Sequence, residues 1–88
     1  MIAITSYEAY ERIKADLPEK RKAVLKAAEK GTEWCNDTLA WRMNWPINCV
    51  TPRTGELRKR GLLIDTRKKE HNGFNVQWFR AAKPERLF

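Results

Sequence analysis

The chain has 88 residues, room for one domain with a small core, since a domain this size buries only about 60–65% of its unfolded surface. It is 42% hydrophobic and 33% charged, with four Trp, which excludes a disordered tail, and no apolar run nears the roughly 18 residues of a membrane span. Lys and Arg number 18 against 11 Asp and Glu, a net charge of +7, so the surface suits a polyanion.

Met1 to Glu8 has neither a basic start nor a long apolar stretch, so no signal peptide is expected. The expected compartment is the cytoplasm, with Cys35 and Cys49 as free thiols. Thr5-Ser6-Tyr7-Glu8 has the form of a capping box, with Ile4 as staple. It predicts a helix over 6–15 with Tyr7, Tyr10 and Ile13 on its apolar side. Leu17-Pro18 ends it, because a residue before proline resists helical geometry. A second helix is expected over 18–30. Pro18 sits at its start, Glu19 and Lys26 match the dipole, Val24, Leu25 and Ala28 are core candidates, and Gly31 is the stop.

Thr32 to Cys35 can form a one-bridge strand. Asn36 or Asp37 is the expected cap of a third helix that runs to Met43 with Leu39, Ala40 and Met43 on one side. Asn44-Trp45-Pro46 breaks it. Asn48 is the expected cap of a fourth helix over 49–60, with Pro52 in or near its first turn; alternatively Thr51 is the cap. Gly61 ends this helix. At 100° per residue, Val50, Thr54 and Leu57 share one side. Pro52, Gly55, Glu56 and Lys59 face away. Thr51 and Arg58 lie on one flank, Arg53 and Arg60 on the other.

From Leu62 to Thr66 the period is two, which predicts a strand. Residues 67–73 are polar and read as a basic loop ending in Asn72-Gly73, a strong hairpin signal. A second strand follows over 74–79, with Phe74, Val76 and Trp78 on one face and Phe79 on the polar one. Trp34, Trp45 and Trp78 are expected to pack. Residues 80–88 read as a tail that docks through Leu87 and Phe88.

Two short helices joined by a turn of about four residues have helix-turn-helix geometry. The later helix feeds straight into a hairpin through Arg60-Gly61-Leu62. The residues that matter are Leu39-Ala40, Trp45 to Arg53 and Glu56 to Ile64, with Val50, Leu57, Gly61 and Leu62 at spacings of seven, four and one. Over residues 18–79 this pattern resembles the winged helix-turn-helix superfamily, including MarR-like regulators and small phage or prophage proteins. It departs from them in the extra first helix and in Trp41, where a polar residue is usual.

The resemblance implies an α+β fold: a winged helix-turn-helix with a three-helix core (residues 18–79), an N-terminal extension (1–17), a C-terminal β-hairpin wing and a tail (80–88), all one domain. It implies double-stranded DNA as partner, with the helix over 49–60 in the major groove and the wing over 67–73 on the backbone or minor groove. The expected DNA-binding residues are Asn48, Thr51, Pro52, Arg53, Gly55, Arg58, Lys59, Arg67, Lys68, Lys69, His71 and Asn72. Arg53 is the leading candidate for a guanine contact, against a salt bridge to Glu56 or a phosphate clamp. Asn48 and Thr51 read equally as caps, and Asn72 as a residue the turn needs.

Residues 52–88 carry ten basic and four acidic groups, whereas residues 1–51 carry eight and seven, so the positive excess is C-terminal. Six phosphate contacts would give a log K against log salt slope of about −5.

The resemblance suggests a small regulator or DNA-transaction factor in a bacterial cell or phage-infected host. A domain this small contacts few base pairs, so homodimers or tandem binding are expected, with residues 1–15 as the candidate contact. The alternative is a protein-interaction module that uses residues 1–15, Phe79 or the tail; single-strand or RNA binding is a third reading. Cys35, Cys49 and His71 match no common zinc spacing, and no phosphate loop or nucleophile elbow is visible. No cofactor, no metal and no enzymatic activity are expected.

Overall fold

The computed structural model describes residues 6–84. The Ile4 staple, the Thr5 cap and the docking of Leu87 and Phe88 lie outside the described residues, as does part of the 1–15 partner surface. The elements run α1 (Tyr7–Ala15), α2 (Glu19–Ala28), α3 (Asn36–Met43), α4 (Ile47–Lys59), β1 (Leu63–His71) and β2 (Phe74–Ala81). The class is α+β: four helices and a two-stranded antiparallel hairpin.

The cap of α1 is Ser6; its hydroxyl accepts the Ala9 N–H at 3.1 Å. Tyr10 is fully buried, whereas Ile13 stays 37% exposed, contrary to the expected apolar face. The Tyr10 side of α1 is held to α2. Its hydroxyl donates to Glu29 Oε2 at 2.5 Å, and Lys14 meets the same carboxylate at 2.8 Å. Burial first, and then the Glu29 bond, push the Tyr10 phenol well above its ordinary range.

Helix α2 stops at Ala28, two residues before the expected end at Lys30. Gly31 serves packing rather than a left-handed cap. A Cβ there would come within 2.4 Å of Trp34 Cζ2. The bare glycine lets the indole lie over the helix end, where Trp34 Nε1 donates to the Ala28 carbonyl at 2.9 Å.

Trp34 pairs with Phe79 through two backbone bonds, 2.8 and 2.7 Å long, which is the one-bridge strand expected near Thr32–Cys35. The next residue, Cys35, is still extended and becomes the N-cap of α3 in place of Asn36 or Asp37. Its N–H donates to Thr38 Oγ1 at 2.9 Å. Asn36 is thereby released to accept from Thr54 Oγ1 of α4 at 2.5 Å.

Helices α3 and α4 are joined by Asn44, Trp45 and Pro46, one residue fewer than expected. Asn44 takes the left-handed conformation, φ 58°, that reverses the chain. Helix α4 starts at Ile47 with Pro46 as N-cap, two residues before the expected 49. The Pro46 carbonyl accepts the Cys49 N–H at 2.9 Å, so the proline opens α4 after Asn44 has closed α3. Asn48 and Thr51 are consequently inside the helix and neither is its cap. Pro52 falls in the second turn, not the first, and the helix continues through it. An interior proline costs roughly 3 kcal/mol; burial of Val50, Thr54 and Leu57 on the opposite side offsets that. Gly61 ends the run at φ 76°.

The hairpin is longer than the alternation suggested. Strand β1 extends to His71, and only Asn72 (φ 53°) and Gly73 (φ 84°) form the turn. Two left-handed residues in a row make the tight turn whose twist matches the strands. Residues 67–71 are therefore strand, not loop. Arg67, Lys69 and His71 stand opposite Trp78, Val76 and Phe74, and such aromatic and branched neighbours hold a polar strand in register. Strand β2 continues to Ala81, so residues 80–81 are not tail.

Phe79 is fully buried, which removes the expected partner contact. At the hairpin base its face covers the helices, while Gln77 and Asn75 carry the same face outward. The core lies between α2, α3, α4 and this base, centred on Leu25, Leu39, Val50, Leu57, Leu62 and Phe79.

Candidate nucleic-acid interface

Burying Val50, Thr54 and Leu57 turns the opposite side of α4 to solvent. Asn48, Thr51, Pro52 and Lys59 are exposed along it. Gly55 lies on the same stripe, and a Cβ there would meet no atom within 4 Å. Five of the expected residues thus share one continuous face. Its middle, Thr51, Pro52 and Gly55, is low, so a flat or convex partner can approach the backbone. Pro52 has no N–H, so the Asn48 carbonyl lacks the donor it would otherwise receive from four residues on.

The remaining candidates are placed differently. Arg53 is half-buried on the α2 flank, and its Nη1 donates to the Cys49 carbonyl at 2.6 Å. It does not reach Glu56, which meets Arg60 at 3.3 Å. Arg58 lies on the other flank, gripping Asp65 with Nε at 2.7 Å and Nη2 at 3.1 Å, its guanidinium 5.9 Å from the Phe79 ring centre.

The basic triplet on the hairpin is split. A strand alternates its side chains, so Arg67, Lys69 and His71 share a face and Lys68 points the other way. The first three meet acids from earlier in the chain. Glu33 accepts from Arg67 Nη2 at 3.0 Å and from Lys69 at 3.2 Å; Asp37 lies 2.6 Å from His71 Nε2. Thr66 joins this cluster because the register breaks between Asp65 and Arg67. The irregularity lets neighbouring side chains turn to one partner, and Thr66 Oγ1 donates to Glu33 at 2.6 Å.

These donors, Arg67 first and then Thr66, hold the Glu33 carboxyl down at about 2. The carboxylate in turn raises the Arg67 guanidinium. Lys69 also sits 4.1 Å from the Trp78 ring centre. Asn72 reaches Asp37 at 3.4 Å. Of the triplet, only Lys68 is exposed and without an ion pair among the described residues.

Several surface residues have no role assigned from the sequence. Trp41 is 86% exposed and Ile47 48%; both line an open hollow of about 750 Å³ beside the α3–α4 turn. The unusual size of Trp41 for its place was the available signal. Lys20 and Arg21 of α2 line another hollow with Pro52 and Arg53; nothing in the linear sequence brings them together. Among the described residues no helix is long and apolar enough to cross a membrane. Comparison with known protein families, with curated proteins and with solved structures finds no match for this chain.

Proposed function

We propose that the protein binds double-stranded DNA through α4, in the manner of a winged helix-turn-helix domain. The observation that carries this reading is the continuous exposed stripe of Asn48, Thr51, Pro52, Gly55 and Lys59, low in the middle, with Glu56 beside it paired to Arg60. A stripe of that form fits a major groove, which admits one helix. The order of elements, the three-residue turn between α3 and α4 and the hairpin directly after α4 support the same reading, as does the net charge of +7. Asn48 offers an amide suited to adenine, and Ile47 beside it an apolar surface suited to a thymine methyl. The role is that of a small phage-type or bacterial regulator or DNA-transaction factor.

Titration of a labelled random duplex pool at two salt concentrations tests this. Binding that weakens with salt and is not competed by single strands is expected; no binding, or salt-independent binding, overturns it. Selection from the same pool then reports the preferred site and its symmetry.

A second reading, a protein-interaction module, is favoured by exposed Trp41 and Ile47. It predicts partners that survive nuclease and high salt in a pull-down; loss of every partner after nuclease counts against it.

A further inference from the structure

We infer that the principal backbone-phosphate site lies at the start of α2, in the hollow it forms with the middle of α4, and not on the hairpin. This inference rests on the duplex-binding reading above and assigns the phosphate contacts within it.

The chain places its excess positive charge after residue 51, but folding redistributes it. Arg58, Arg60, Arg67 and Lys69 are each ion-paired. Glu33, which holds two of them, comes from the nearly neutral N-terminal part. A cation already bonded to a carboxylate must give up that bond before it can neutralise a phosphate. Lys20 and Arg21 have no ion pair among the described residues, and Lys20 is exposed.

The site is a hollow of about 480 Å³ lined by Pro18, Glu19, Lys20, Arg21, Pro52 and Arg53. Three cations face it against one carboxylate. Among the described residues Arg53 bonds only a neutral carbonyl, and no carboxylate among them pairs with its charge. The first N–H groups of α2 have no helical acceptors and favour an anion at the same end. Pro52 belongs both to this hollow and to the exposed stripe of α4. A strand bordering the groove that α4 occupies therefore passes the hollow, and its phosphodiester is the anion that fits.

The test compares charge-matched pairs. Lys20→Ala/Arg21→Ala removes two cations from the hollow; Lys26→Ala/Lys30→Ala removes two from the same end of the chain, outside it. Duplex affinity is measured for both and for Lys68→Ala over a salt series, with melting curves to confirm folding. The hollow pair is expected to weaken binding to all sequences alike and to flatten the salt slope by about 1.8, the value for two lost phosphates. The control pair should leave the slope nearly unchanged, and Arg21→Lys should restore it in the presence of Lys20. Equal effects from both pairs, or an unchanged slope in a hollow variant that still binds, overturn this inference alone. A wild-type protein that binds no duplex overturns the proposed function with it.

Discussion

Glu33 accepts a hydrogen bond from Arg67 Nη2 at 3.0 Å, joining the loop before α3 to a strand thirty-four residues later. The same carboxylate takes Lys69 and Thr66. One acidic residue thus orders the side chains of a hairpin face that would otherwise present two free cations.

Glu33→Gln should therefore loosen the hairpin and increase affinity for duplex DNA, with a steeper salt dependence, because Arg67 and Lys69 become available to phosphates. Unchanged affinity would mean that this hairpin face does not approach DNA.

The same residue has a pH signature. Its folded value, about 2, lies below the ordinary 4.5. A depressed carboxylate contributes stability that is complete above the unfolded value and is lost as pH falls through the folded one. The melting-temperature gap between wild type and Glu33→Gln should hold steady above about pH 5. It should close progressively from there toward pH 2, the value at which the native carboxyl takes its proton.

Gly31→Ala should destabilise the fold by about 1–3 kcal/mol through overpacking. The new methyl would meet a Trp34 ring that is anchored by its bond to Ala28. Denaturant unfolding measures this, whereas Gly55→Ala, which meets nothing, should raise stability slightly by improving helix propensity.

Leu57→Ala and Trp41→Ala should separate folding from binding. Leu57 is fully buried and its truncation should cost about 2–5 kcal/mol. Trp41 is 86% exposed, so its loss should alter stability by less than about 0.5 kcal/mol. It should nevertheless weaken whatever partner covers the α3–α4 turn, and duplex titration against pull-down identifies which partner that is.

Asn48→Ala should relax preference at one base pair, at a cost of about 1–3 kcal/mol for the favoured site. Sequence selection with the variant is the readout. Retention of the wild-type preference would exclude Asn48 from base recognition.

Much of the fold was legible in order of residues. Pro18, Asn44-Trp45-Pro46 and Gly61 punctuate the helices within one or two positions of where they were expected, because proline and glycine act locally. The inward side of α4 was legible for a similar reason: helical periodicity alone groups Val50, Thr54 and Leu57. The hairpin extent was not legible, because a run of consecutive charged residues looks like a loop until Trp78 and Val76 stand opposite it. Phe79 was misread because one strand face can be solvated at the tip and covered at the base.

The sequence by itself determined the net positive charge, which is a sum over composition, and the element order, the turn residues and the buried side of α4, which depend on neighbours within a turn or two. Only the tertiary structure decided which cations remain free. Ion pairing follows distance in space, and Glu33 and Asp37 meet Arg67, Lys69 and His71 only once the hairpin folds back on the start of α3.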